Sequence, residues 1–370
     1  MNTLFPYALL NLDALCANFD RVRTLAPRAK VLAVIKANAY GHGLVQVAHA
    51  LHAANGFAVA RVDEGIALRR AGVLQRIVVL QGFWEAEQLE AHLLWRLEPV
   101  IHTLSQINLL EANPTGVQTL RVWLKLDSGM HRLGFTAEEF PEALTRLMNL
   151  FPPRALTLMT HLARADEPND PATADQLARF KRMTAGLNLE QSIANSAAIL
   201  AWPESHGDWV RPGLMLYGVS PFAECSAKEL RLTPVMTLKS RVIAIKTVAK
   251  GEAVGYGGSW IAPRPSRLGI VAAGYGDGYP REVAAGTQVL IEGQRVPLVG
   301  RVSMDMLHVD LTDFPQAQVG SEVTLWGEGL PVEEVARQAG TIPYTLLCRV
   351  AARVPRIELQ THHEARQNRV

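Results

Sequence analysis

The chain has 370 residues, 48% hydrophobic and 19% charged, enough for a large core and, by length, roughly two domains or one barrel with an addition. A net charge of +2, with no block of Lys or Arg reaching five residues, gives no sign of nucleic acid or an anionic membrane as partner. Three scattered cysteines, Cys16, Cys225 and Cys348, suit a reducing compartment better than a disulfide framework, and no stretch approaches the ~18 apolar residues of a membrane span.

The first residues, MNTLFPYALLNLDALC, lack a basic n-region and a small-residue cleavage site, and Asp13 interrupts their apolar run, so a cytoplasmic protein is expected. Short apolar runs then recur: VLAVI (31–35), FAVA (57–60), IVVLQ (77–81), PVIH (99–102), LRVWLKLD (120–127), LTLMTHL (156–162), SIANS (192–196) and WVRPG (209–213). Between the first two, Leu44, Val47, Ala48 and Leu51 form one helical face that Asn55-Gly56 stops. WEAEQLEAHLLWRL and DQLARFKRM carry similar faces. Alternation of strand and helix predicts a parallel sheet, and eight such units within ~230 residues match an α/β fold of the (β/α)8 TIM-barrel type. From about Thr233 the texture changes to closely spaced β-rich segments with Gly-rich turns, where only PVEEVARQAG reads as a helix, with Gly340 just past its end. The expected division is a barrel over 1–232 and a mainly β C-terminal domain over 233–370.

Barrel active sites sit at the C-terminal ends of the strands. The polar residues fall there: Lys36, Lys125 with Asp127, His161, Asn195 with Ser196, and Arg211. Each has a plain alternative. Lys36 can snorkel to solvent, or it can be an amine of depressed pKa that attacks a carbonyl. His161 alone reads as a hydrogen-bonded core histidine. Convergence of five strands' worth on one mouth favours a site. The seventh and eighth strands end in Asn195-Ser196 and Arg211-Pro212-Gly213-Leu214, a hydroxyl and a close-approach glycine where barrels often seat phosphate. A phosphate-bearing cofactor opposite a buried lysine suggests pyridoxal phosphate (PLP), joined to Lys36 as a Schiff base.

VIKANAYGHG, WLKLDSGMHRLGF, NSAA, VRPGLMLYG, AVGYGGSW, GYGDGYPR, GRVSMDM and IPYTLLCRVAARVPR, in this order across positions 34 to 356, resemble the alanine racemase family. The resemblance implies a PLP-dependent isomerase interconverting L- and D-alanine. It also implies a head-to-tail homodimer with shared sites. Two bases serve the two faces of the substrate carbon, Lys36 and Tyr256, the latter otherwise readable as a turn aromatic among glycines. Arg211 is implied to face the pyridine nitrogen, within a hydrogen-bond network that includes His161; an ion pair with Asp208 or Glu204 is the alternative. By the same resemblance, Tyr40 and Tyr344 are expected to complete the phosphate cradle of Ser196, Gly213 and Leu214. Arg132 is implied to face the cofactor's phenolic oxygen and the substrate carboxylate, and Met304 resembles the family position whose N–H meets that carboxylate. Lys125, crowded by Arg132, is implied to be carbamylated, or else points outward. Asp166, Arg281 and Arg301 resemble residues of the substrate entrance, and no metal is implied. Three rival readings remain: a racemase of broader specificity, a fold-related decarboxylase and a non-catalytic PLP carrier. The decarboxylase would place Glu where Arg211 stands and a cysteine in the partner's site. The carrier would resemble the barrel alone.

Overall fold

The computed structural model describes residues 5–359; residues 1–4 and 360–370, the outer ends of the two expected domains, lie outside the described residues. After a first strand, β1 (Tyr7–Leu10), eight parallel strands close a barrel in chain order. They are β2 (Lys30–Val34), β3 (Gly56–Val59), β4 (Arg76–Val79), β5 (Glu98–Ile101), β6 (Val122–Lys125), β7 (Leu156–Met159), β8 (Glu190–Ser192) and β9 (Trp209–Val210). Every residue of β3, β5, β6 and β7 is buried, because one face looks into the barrel core and the other onto the surrounding helices. The strands stop earlier than the apolar runs predict, and β8 shares only Ser192 with the expected run 192–196. Lys36, Asp127, His161, Asn195, Ser196 and Arg211 therefore lie just beyond strand ends, and Lys125 is the last residue of β6.

The second domain is built on β10 (Met236–Val248). Its first half pairs with β1 and with Glu322–Trp326, and its second half with Ser266–Val271, so the sheet's strand path returns on itself. Two features depart from expectation. β1 belongs to this sheet, in register Leu10↔Met236, and also runs parallel to Arg356–Glu358, whereas the expected division counts it with the barrel. PVEEVARQAG is not alone as a helix: besides Val332–Gln338, Pro343–Arg349 is helical, with Pro343 in the first turn, where its missing N–H costs nothing, and Leu346 and Leu347 buried.

This added helix joins the domains. It packs against the turn that follows β2 so closely that a Cβ on Gly41 would lie 2.1 Å from the Leu347 carbonyl oxygen, and Gly41 also has φ +81. Arg356 donates from the second domain to Gly41 O at 3.1 Å. Among the described residues, no helix is long and apolar enough to cross a membrane.

Candidate active site

Lys36 enters the barrel mouth on an unusual backbone. The next four residues, Ala37, Asn38, Ala39 and Tyr40, have φ of 54, 53, 53 and 52°. Left-handed backbone costs roughly 1–2 kcal/mol for each L-residue, so this turn must be held by its surroundings. Ala37 N–H donates to Glu64 Oε1 at 2.7 Å, and Leu44 N–H donates to Asn38 Oδ1 at 2.9 Å. His42 Nδ1 donates to Ala39 O at 3.0 Å and Tyr40 O at 2.9 Å. Both its partners are carbonyls, so the His42 proton sits on Nδ1. The turn drops the Tyr40 ring into the mouth, stacked on Tyr217 at 4.8 Å.

A cavity of about 460 Å3 opens among the strand ends. Lys36, Tyr40, Lys125, Arg132, His161, Ser196, Arg211, Gly213, Leu214 and Tyr344 all line it. Among the described residues its wall has Lys36, Lys125, Arg132 and Arg211 but no Asp or Glu. Such a wall selects for an anionic occupant. Gln81 and Asn195 add polar groups, and Val34, Ala60, Leu80, Leu133 and Met159 apolar ones.

Like charge and burial act on the lysines together. Burial, with help from Arg132, pushes the Lys36 ammonium down; Glu64 opposes the shift. Lys125, 8% exposed, is lowered to about 8 by burial, then by Arg211, Arg132 and Lys36. Neither the snorkelling reading of Lys36 nor the outward reading of Lys125 holds.

Arg211, 4% exposed, has no carboxylate partner among the described residues. Its guanidinium donates to Ser192 Oγ at 2.7 Å, Thr160 O at 2.6 Å and Ile193 O at 3.0 Å. The ion pair with Asp208 or Glu204 does not form; Asp208 instead accepts Gln191 N–H. Burial lowers Arg211 to about 10, which leaves it a cation at neutral pH. Its Nη2 lies 3.2 Å from His161 Nδ1. His161 is held well below its ordinary pKa by burial and then by Arg211. Neutral His161 thus accepts at Nδ1 and carries its proton on Nε2.

Arg132 is brought to the wall by a tied loop. Asp127 Oδ1 accepts N–H bonds from Gly129, Met130 and His131 at 2.9–3.0 Å, and Phe135 N–H returns to Lys125 O at 2.9 Å.

On the opposite wall, Ser196 Oγ accepts from Gly213 N–H at 2.9 Å and Met215 N–H at 3.3 Å, which leaves its own proton to donate. A Cβ on Gly213 would lie 2.6 Å from Tyr40 Oη, so only glycine keeps this corner open beside two hydroxyls. Burial raises the Tyr40 phenol, and burial with Asp166 pushes Tyr344 up to about 12; both remain donors at neutral pH.

Tyr256 and Met304 are elsewhere, on the second domain, 64% and 54% exposed. Neither lines the cavity of its own chain. Arg301 lies against the Tyr256 turn, its Nη1 3.2 Å from where a Cβ on Gly257 would be, and Arg281 stands 6.0 Å over the Tyr275 ring. Asp166, by contrast, is near Tyr344 on the barrel side. The expected entrance residues therefore divide between the two surfaces. Gln81 closes the IVVLQ run and so carried a legible signal, while Glu64, inside a helix, carried none.

Comparison with known proteins follows the same division. The family described as alanine racemase, N-terminal domain, matches residues 10–221, and alanine racemase, C-terminal domain, matches residues 235–358. The chain is 51% identical to an alanine racemase of Nitrosospira multiformis, over 95% of this chain and 98% of that one. It is 50% identical to a catabolic alanine racemase of Pseudomonas putida, over 94% and 97%. Among solved structures, the biosynthetic alanine racemase of Pseudomonas aeruginosa superposes with a TM-score of 0.92 at 47% identity, covering 96% of this chain and 99% of that one. The Bartonella henselae alanine racemase with covalently bound pyridoxal phosphate gives 0.87 at 30% identity, covering 96% and 99%. With both domains matched and the relatives spanning nearly its whole length, the chain belongs to the alanine racemase family.

Proposed function

We propose that this chain interconverts L- and D-alanine with pyridoxal phosphate held in the barrel mouth, in a homodimer whose sites are shared. The observation that carries the reading is the cavity wall of two lysines and two arginines without a carboxylate, at the end of which Lys36 has a depressed ammonium pKa. The residues fit the cofactor: Gly213, Tyr40 and Ser196 leave an open, donor-lined corner suited to phosphate, and the volume lies in the range of small-molecule sites. When bound, PLP joins an amine through its carbonyl and draws electrons from the attached carbon, which makes a substrate Cα–H acidic.

Lys36 would hold the cofactor, and its amine is the base for one face, because burial and Arg132 favour the neutral form a base needs. Tyr40, Ser196, Gly213, Leu214 and Tyr344 would hold the phosphate. Arg211, clamped by Ser192, Thr160, Ile193 and His161, keeps its protons at neutral pH and so gives none to a ring nitrogen facing it. That keeps electron withdrawal mild, as suits a reaction that only moves one proton. Arg132 fits the substrate carboxylate. The opposite face needs a second base, and Tyr256 has no place in its own chain's cavity. A partner's second domain, presenting Tyr256 and the Met304 N–H on its exposed surface, supplies both. Three free cysteines fit a reducing cytosol.

Incubation with L-alanine and PLP, followed by chiral chromatography, tests the activity. Enantiomers have equal free energy, so L and D must finish in equal amounts. Failure to form D-alanine, or formation of the decarboxylated amine, would refute the reading.

Carbamylation of Lys125 is a further part of it. With a pKa of about 8, Lys125 has a neutral fraction of about a tenth at pH 7, roughly 300-fold more than an ordinary lysine. Neutral amine adds CO2 and loses a proton, which converts a cation among cations into an anion beside Arg132. The lowered pKa means the neutral form grows as pH rises through 8, so at fixed dissolved CO2 uptake rises from pH 6.5 to 8.5. Protein equilibrated with 13C-bicarbonate is expected to show one carbamate signal, absent in Lys125→Ala. Acetate is expected to restore part of that variant's lost activity. A free Lys125 amine in fully active protein would contradict this.

A further inference from the structure

One half-buried carboxylate ties two strand ends of the barrel mouth together. Glu64 Oε1 accepts the Ala37 N–H at 2.7 Å, and its Oε2 accepts Ala60 N–H at 2.8 Å and Arg61 N–H at 3.3 Å. Ala60 follows β3 and lines the cavity; Ala37 adjoins Lys36 after β2. An ionised carboxylate only accepts, so it matches three donors.

The turn it grips is the strained one. Four successive residues, none glycine, hold φ near +53°, and such backbone persists only where its surroundings over-determine it. Backbone bonds from Ala39 N–H to Ile35 O and from Gly41 N–H to Ala37 O close the turn, and Asn38 and His42 hold its later part; at its beginning, beside Lys36, the side-chain hydrogen bond is with Glu64. We propose that Glu64 is a positioning residue for Lys36, setting both the place of its amine and the charge it feels. This rests on the reading of Lys36 as the cofactor anchor.

The charged and titratable groups acting on Lys36 are Arg132, Glu64, Cys348 and Arg211, together with Lys125 across the same cavity, and Glu64 is the one carboxylate among them. Glutamine in its place keeps one acceptor but turns an NH2 toward a backbone N–H and loses the charge. Glu64→Gln therefore misplaces the amine while making it easier to deprotonate. These two effects have opposite signs on two readouts, which a loss of folding does not imitate.

Cofactor-free wild type and Glu64→Gln are pulse-labelled with acetic anhydride across pH, and Lys36 and Lys125 are read separately by mass spectrometry. Lys36 in the variant is expected to label with a midpoint at lower pH while Lys125 keeps its own. Affinity for PLP, followed by visible absorbance, is expected to fall ~10–100-fold, the scale on which removing a group that orients a binding residue weakens a site. An unchanged Lys36 profile with unchanged PLP affinity would overturn the proposal. So would a joint shift of both lysines with a large drop in melting temperature, which would make Glu64 a general brace. A wild-type measurement needs no variant: the Ala37 amide, on an exposed residue, is expected to exchange with solvent at least about tenfold more slowly than in an unstructured chain, because of its bond to Glu64. Free exchange there would also overturn the proposal. Both the labelling and the exchange are independent of activity, so an enzyme that did not racemise alanine would leave them interpretable.

Discussion

Lys36→Ala is expected to lose racemisation by at least about a thousandfold, since it removes both the cofactor's anchor and one of two bases, and a single general base is worth ~10²–10⁴. The visible absorbance of lysine-bound PLP is expected to vanish with it. Lys125 is in the same wall, but it ends β6 whereas Lys36 follows β2, and it is crowded by Arg211, Arg132 and Lys36 itself. The fold is expected to survive. Lys36 is half-buried at a strand end, and its loss removes one cation from a wall of like charge. Melting temperature is therefore unchanged or raised, which separates lost chemistry from lost structure. Retained absorbance in the variant would mean that another amine is the anchor.

The second large effect is expected from Tyr256→Phe. It removes one oxygen from an exposed ring and keeps the ring's shape, so the isolated chain should be unaffected. Racemisation is expected to fall by ~10²–10⁴ in both directions, because each direction needs both bases, one to take the proton and one to return it. Exchange of the Cα–H in deuterated water, followed by proton NMR, distinguishes the two faces. Lys36 still removes and returns the proton on its own face, so one enantiomer exchanges without inverting while the other exchanges far more slowly. Equal exchange of both enantiomers, or racemisation at the wild-type rate, would remove Tyr256 from the mechanism.

Much of this was legible in the residues, for physical reasons. Barrel strands buried on both faces read as continuous apolar runs, so most of them stand out; β8, Glu190–Ser192, is polar and half-buried, and the run expected there shares only Ser192 with it. Their ends were overestimated where the runs pass into the site, because Lys36, His161 and Arg211 are positioned by loops and not by the ladders. β1 was missed because YALL is short and its ladder partner, β10, is on the far side of the barrel sequence. The helix Pro343–Arg349 was missed because seven residues carry little periodicity; what holds it is packing on the Gly41 turn.

At the site, the residue types announced themselves and their partners did not. Arg211 is an arginine after β9 in any reading, but its carbonyl partners at Thr160 and Ile193 come from the ends of β7 and β8, which only the pairing of these strands in the sheet brings together. The left-handed turn was invisible for a different reason. KANAY contains no glycine, and its conformation is imposed by Glu64, Asn38 and His42.

The account stands on one arrangement: Lys36 of one chain and Tyr256 of another acting on the same substrate carbon. Mixing Lys36→Ala with Tyr256→Phe and allowing subunits to exchange tests it directly. A mixed dimer then has one site with both lesions and one with neither. Equal amounts exchanged at random give mixed dimers about half the time, so about a quarter of all sites are intact. Two inactive proteins are expected to yield, on mixing, about a quarter of wild-type racemase activity. If both residues served a site within one chain, every site would keep a lesion, and absence of any recovery after verified exchange would contradict the shared site.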